Sequence, residues 1–284
     1  MLQTHDLDSY YLGVRRRLTV WLPPRPRRPR ARSLPVLYLN DGQNLFDPAR
    51  AFAGRTWGVA DTASELIRSR RMAPLMIVGI DHGEARRSSE YLPVEDARNP
   101  DAGPPLGRRY ADFVTREVMP FIERRYAPAR GATHTGLGGS SYGAVAALYT
   151  ALLRPGVFGR LLLESPSLYV GRGYLLRRAA AAGRWPSRVY LGVGTEETAD
   201  AGINDETVAN VRKLEALLRR RGLGPRRLLT SVEPGATHSE DAWAGRLPAA
   251  LEFLFGSAPE RRPRASPPAT RSLWDELSDD DEAP

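Results

Sequence analysis

Ten residues, Thr135-Gly136-Leu137-Gly138-Gly139-Ser140-Ser141-Tyr142-Gly143-Ala144, limit what this chain can fold into more than any other stretch. His134 to Leu137 read as the end of a strand. Ala144 to Leu153 (AVAALYTALL) are strong helix formers, apolar on nearly every face. Strand must therefore become helix within a few residues, and the turn holds Gly139-x-Ser141-x-Gly143. This is the pattern of a nucleophile elbow. The sharp turn lifts the Ser141 hydroxyl out of the sheet, and the flanking glycines leave room for the helix and a substrate. Tyr142 then opens the helix, so its backbone N–H is free to face a developing oxyanion. In a chain with 26 glycines the spacing alone is unspecific, and a glycine loop whose serines merely cap a helix has the same letters. The apolar strand before and the apolar helix after favour the elbow.

Similar strand signals recur along the chain. Residues 10–22 (YYLGVRRRLTVWL) read as an N-terminal hairpin, with Arg15-Arg16-Arg17 on a solvated edge. Pro23 to Arg30 is too rich in proline for helix or central strand and reads as an exposed connector. Leu34–Leu39, Pro74–Ile80 and Val189–Gly194 are apolar runs of the kind that strands covered on both faces show, and Val157–Pro166 and Arg227–Val232 read as further strands. Helical spacing appears over Trp57–Ser69, over Tyr110–Tyr126 with a kink or break at Pro120, and over Arg172–Ala182. It recurs after a cap at Asn204 or Asp205, and around Trp243, Leu247, Leu251 and Leu254. Residues 84–109 lack periodicity and read as a long surface loop. Strands alternating with helices predict a doubly wound, mostly parallel α/β sheet with an N-terminal antiparallel hairpin. The domain spans 1–256. Residues 257–284, rich in Pro and Arg and then acidic, are expected to be a disordered tail.

Ligands of such sheets sit beyond the carboxyl ends of the strands, and the chemically interesting residues fall there. A serine hydroxyl needs a base, and the base needs a carboxylate to orient it. The chain has four histidines. His5 is terminal, His134 starts the elbow strand at its far end, and His82 follows a strand and is placed to line the pocket. His238 alone comes after both the serine and the acid candidates, in the order Ser, acid, His of α/β-hydrolases, and is the expected base. Glu196, Glu197, Asp200 and Asp205 compete for the acid. Closeness to a strand end favours Glu196 or Glu197, and Asp205 reads as a helix cap. The polar glycine loop Asn40-Asp41-Gly42-Gln43-Asn44 after its strand suits the far side of an oxyanion hole. Asp41, His82 and Arg86 are candidate substrate contacts. Arg87 and Glu90, beside Arg86, either meet an anionic substrate or pair with one another.

The segments LPVLYLNDGQNLFD, MIVGIDHGEARRSSEYLP, YADFVTREVMPFIERRY, GLGGSSYGAVAALYTALLRPGVFGRLLLESPS, LGVGTEE and THSEDAW resemble the putative-esterase family of α/β-hydrolases, over roughly residues 10–256. That family includes enterochelin esterases, esterase D-type enzymes and feruloyl or acetyl-xylan esterases. The resemblance implies Ser141 as nucleophile, His238 as base and Glu197 as acid. It also implies an oxyanion hole from the backbone N–H groups of Tyr142 and Gln43. Many members carry His-Gly where this chain has Asp41-Gly42, and a subset shares the DGQN form. A second glycine common after the elbow is Ala144 here.

The expected activity is hydrolysis of a small or medium carboxylic ester through an acyl-enzyme, needing no metal or organic cofactor. Acyl transfer by the same triad, or a non-catalytic binding protein on a hydrolase fold, are the alternatives. The chain has no cysteine, which excludes disulfides and thiolate nucleophiles. Its net charge of +8 comes almost wholly from arginines spread along its length, with no aromatic-interleaved basic motif, so no nucleic-acid partner is expected. No apolar run is long enough for a membrane span, and no secretory signal is visible, so the expected location is cytoplasmic.

Overall fold

The apolar runs pair into one eight-stranded sheet. The computed structural model describes residues 1–24 and 33–256. Its strands are β1 (Leu2–Ser9), β2 (Val14–Trp21), β3 (Val36–Asn40), β4 (Met76–Ile80), β5 (Thr135–Ser140), β6 (Arg160–Glu164), β7 (Arg188–Gly194) and β8 (Leu228–Glu233). Their order across the sheet is β1-β2-β4-β3-β5-β6-β7-β8. β2 runs antiparallel to β1 and β4, and all other neighbours are parallel. The parallel strands need crossovers, supplied by α1 (Val59–Arg68), α2 (Arg87–Tyr91), α3 (Gly107–Phe113), α4 (Met119–Tyr126), α5 (Tyr142–Leu153), α6 (Val170–Ala181) and α7 (Ala201–Arg220), and α8 (Glu240–Phe255) follows the last strand.

Because strand side chains alternate, the sheet buries two cores. Leu37, Leu39, Leu162 and Tyr190 face α1 and α8. Val36, Tyr38, Leu161, Leu163 and Leu191 face the layer that includes α3 to α7. Each fully buried Leu or Val contributes about 1.5–3 kcal/mol, so this alternation fixes strand register. Helix α5 lies in the middle of its layer, with every residue from Gly143 to Ala151 buried, which is why it is apolar all round.

Several local expectations are corrected. The N-terminal hairpin exists, but its first strand is Leu2–Ser9, and residues 10–13 are its turn. Its alternating exposure, with polar residues outward, conceals it from a search for apolar runs. Arg16 is not on a solvated edge: β2 is an interior strand, and Arg16 is buried. Residues 84–109 are not a surface loop throughout, since Ser89, Glu90, Tyr91, Leu92 and Asp96 are buried. The elbow strand begins at Thr135, after a 3-10 turn at Ala132–His134, and continues to Ser140. Instead of breaking at Pro120, the helix passes through a π-helical turn at Val114–Val118, a wider turn of the kind that accommodates a residue lacking N–H. Asp200 caps α7, through its side chain and the Ile203 N–H, while Asn204 and Asp205 lie inside the helix. Most of the proline-rich connector and all of the tail at 257–284 lie outside the described residues. Among the described residues no helix is long and apolar enough to cross a membrane.

Candidate active site

The turn from β5 to α5 puts Ser141 at φ 54° and ψ −125°. A non-glycine residue held there costs on the order of 1–3 kcal/mol, so its surroundings must hold it in place. The Ser141 N–H donates to the Glu164 carbonyl at 2.9 Å, and the Asn40 amide donates to the Gly143 carbonyl at 2.7 Å. The two glycines of the elbow are sterically required. A Cβ on Gly139 would lie 2.9 Å from the Gly143 carbonyl carbon, and one on Gly143 would lie 2.6 Å from Asp41 Oδ2.

The same sideways bonding continues past the ends of the neighbouring strands. Ser165, after β6, donates its N–H to the Gly192 carbonyl at 2.7 Å, and Thr195, after β7, donates to Glu233 at 3.1 Å. On the other side of Ser141, Asp41 at φ 58° turns β3 into a 3-10 turn, Gly42–Asn44. Among the described residues, neither the Gln43 nor the Tyr142 backbone N–H has an acceptor. The Gln43 side chain is held by accepting from the His82 N–H at 3.1 Å.

Glu197 and His238 follow β7 and β8, and the structure brings them together: His238 Nδ1 bonds Glu197 Oε2. Glu197 is buried, whereas the His238 side chain is 35% exposed. Glu197 Oε1 accepts from the Ser165 hydroxyl and the Gly194 N–H, both at 2.6 Å. Burial works to raise the Glu197 pKa, but the donors from His238, Ser165 and Gly194 outweigh it and hold the carboxyl below the ordinary glutamate range. Glu196 is exposed, and Asp200 is committed to its cap. The other histidines lie elsewhere. His5 bonds the Tyr126 hydroxyl, and His134 precedes β5. His82 Nδ1 accepts from the Glu84 N–H at 3.0 Å, and burial lowers the His82 pKa.

The β3–β4 side is held by ion pairs. Arg87 grips Asp41 through both oxygens, at 2.7 and 3.0 Å, and lies 5.2 and 5.8 Å from the Tyr91 and Tyr142 ring centroids. The Asp41 N–H donates to the Tyr91 hydroxyl, and the Tyr110 hydroxyl donates to Asn40 at 2.6 Å. Asp41 is thus buried against the elbow rather than open to solvent. Arg86 turns to the Leu12 carbonyl and Glu90. Arg16 bonds both Glu90 oxygens, at 2.8 and 2.7 Å. Arg86 and His82 line a cleft of about 520 Å³ with Arg17 and Arg50. A larger cavity, about 960 Å³, is lined by Leu92, Val94, Asp96 and Tyr169, and Asp96 accepts from the Tyr142 hydroxyl.

Residues 9–254 match the sequence model of the family described as Putative esterase. The chain belongs to that family. Membership places this esterase among the carboxylic-ester hydrolases, on the α/β-hydrolase fold expected from its strand order. It is 24% identical over 253 residues to the uncharacterized protein YbbA of Bacillus subtilis (strain 168), covering 87% of this chain and 96% of YbbA. Among solved structures it resembles an IroE-like serine hydrolase from Shewanella oneidensis, with a TM-score of 0.71, 20% identity, and coverage of 90% of this chain and 80% of that one. It also resembles the enterobactin esterase FES from Shigella flexneri, with a TM-score of 0.67 and 21% identity. That match covers 89% of this chain but only 59% of FES.

Sequence reasoning missed Ser165, the bond from Asn40 to Gly143, and the pairing of Glu90 with Arg16. Asn40 carried a signal, a polar residue closing an apolar strand. Ser165 carried a similar one at the end of β6. Nothing local marks Arg16 as buried.

Proposed function

We propose that the esterase works through an acyl-enzyme on Ser141. Ser141 Oγ attacks the ester carbonyl carbon, and His238 Nε2 takes the hydroxyl proton. The negative charge on the carbonyl oxygen is met by the unoccupied N–H groups of Gln43 and Tyr142. Collapse expels the alcohol, which receives the proton from His238. Water, deprotonated by the same imidazole, then attacks the acyl carbon, and the acid leaves as Ser141 regains its proton. Glu197 keeps His238 in the tautomer with Nδ1–H and stabilises the imidazolium.

The single observation that carries this reading is the Glu197–His238 pair after β7 and β8, on the same rim of the sheet as the elbow. Asp41 acts in it by holding Arg87 and the elbow. His82 and Arg86, in the cleft of about 520 Å³, are the proposed contacts for the more distant part of a small or medium ester. Ser141→Ala should abolish turnover of a short p-nitrophenyl ester while the circular dichroism spectrum stays unchanged, and a fluorophosphonate probe should label the parent protein only. Unchanged hydrolysis by the variant would remove the mechanism. Product analysis with added alcohols separates hydrolysis from acyl transfer.

A further inference from the structure

We infer that Ser165 and Trp243 are positioning residues that lock the orientation of the Glu197 carboxylate, completing a closed ring of contacts: Trp243, Ser165, Glu197, His238 and back to Trp243. The inference rests on the acyl-enzyme reading and adds to it two residues that touch no reacting atom.

The directions of the bonds are fixed by chemistry. Trp243 Nε1–H can only donate, and it lies 2.9 Å from Ser165 Oγ. The ionised Glu197 carboxylate can only accept, and its Oε1 lies 2.6 Å from the same hydroxyl. The Ser165 hydroxyl therefore accepts from Trp243 and donates to Glu197, with no freedom to rotate. Gly194 N–H supplies a second donor to Oε1, so Oε2 is the oxygen left for His238. At the far side of the ring, Trp243 meets the imidazole of His238 edge to face, with centroids 5.0 Å apart. Trp57 backs Trp243 at 5.9 Å, and both indoles are buried.

The backbone gives an independent reason to assign Ser165 a role. It sits at φ 43°, in the left-handed region that favours glycine, and is itself almost wholly buried. A serine there brings only its hydroxyl to offset that conformation. The neighbouring charged pair, Glu164 with Arg246, bonds within itself and with Glu233, leaving Ser165 as the side-chain donor to Glu197 besides His238.

The test compares Ser165→Ala, Ser165→Gly and Trp243→Phe by steady-state hydrolysis of p-nitrophenyl acetate across pH. Alanine keeps the strained backbone and glycine relieves it; both lose the hydroxyl. Both should lower kcat by about ten- to hundredfold, the rate equivalent of one hydrogen bond to a charged group, with KM nearly unchanged. The acid limb of kcat/KM should move to higher pH, because a carboxylate with one donor fewer keeps more of its negative charge for the imidazolium beside it. Trp243→Phe keeps a ring against His238 but loses the N–H, and should shift both quantities the same way by less. It carries the test if either Ser165 variant fails to fold. The inference is overturned if Ser165→Ala keeps the parent kcat, if glycine restores what alanine loses, or if kcat falls with no movement of the acid limb. Parent protein inert to both ester and fluorophosphonate would instead take down the acyl-enzyme reading, and this inference with it.

Discussion

The two sides of Ser141 are built from different physics. Toward β6–β8 the neighbours are backbone hydrogen bonds, a hydroxyl, one buried ion pair, Glu164 with Arg246, and a carboxylate–imidazole pair whose imidazole is partly exposed. Toward β3–β4 they are guanidinium–carboxylate pairs: Asp41 with Arg87, Glu90 with Arg16, and Asp81 with Arg50. A group that must gain and lose a proton at each turnover needs a partner that tolerates both states. A guanidinium stays charged at any working pH, so it suits holding a loop and not moving protons. The proposed proton relay lies on one side only, while buried ion pairs hold shape on both.

Breaking the first side should cost the most, and chiefly in rate. Glu197→Gln is expected to lower kcat by about 10³–10⁴, as removal of a triad carboxylate does elsewhere, while the melting temperature moves little. A large fall in melting temperature would erase the division. Breaking the second side should do the reverse. Arg16→Met leaves Glu90 buried with only the more distant Arg86 at 3.4 Å, and should destabilise by about 3–5 kcal/mol in denaturant titrations. Arg16→Met with Glu90→Leu should recover most of that loss, since a packed apolar pair commonly replaces a buried ion pair without penalty. Both variants should retain kcat per folded molecule, and a loss of kcat in the double variant would tie the ion pair to the chemistry.

The smallest effect is the pH dependence of stability, and its sign differs between the sides. Glu197 is held below the ordinary glutamate pKa, so it contributes stability above that range, lost as pH falls through its depressed value. Burial raises Glu90, and Arg16 offsets only part of this, so stability is lost as pH rises from the ordinary glutamate value through the raised one. Denaturant titrations between about pH 3 and pH 7 should show Glu197→Gln flattening the acid branch, and the Arg16–Glu90 double variant flattening the upper one. Identical slopes in parent and variants would contradict the contrast.

Much of the chemical side is legible in the sequence, and little of the other. The strands β3, β4, β5, β6 and β7 are buried on both faces, so local composition alone marks them. The elbow is legible because its glycines and helix are contiguous. His238 stands out as a polar residue past a strand end, but position alone leaves Glu196 and Glu197 equal, and only the family resemblance points to Glu197. β1 escapes because one of its faces meets water, so its pattern is alternating rather than apolar. The Arg16–Glu90 pair spans 74 positions, and the burial of 89–92 depends on distant partners such as Tyr110. No window of sequence contains both halves of such a contact. The cap at Asp200 was hidden by better-looking Asn204 and Asp205 four and five residues on.

The sideways bonds from Ser141 to β6, Ser165 to β7 and Thr195 to β8 carry the hydrogen-bond ladder one residue beyond the strands that end there. Three of the backbone positions at the mouth of the site are thereby held in register with the sheet. For a visiting ester, those positions are set when the chain folds and not when it binds. Backbone fixed in advance leaves that much less entropy to lose when reacting groups are aligned.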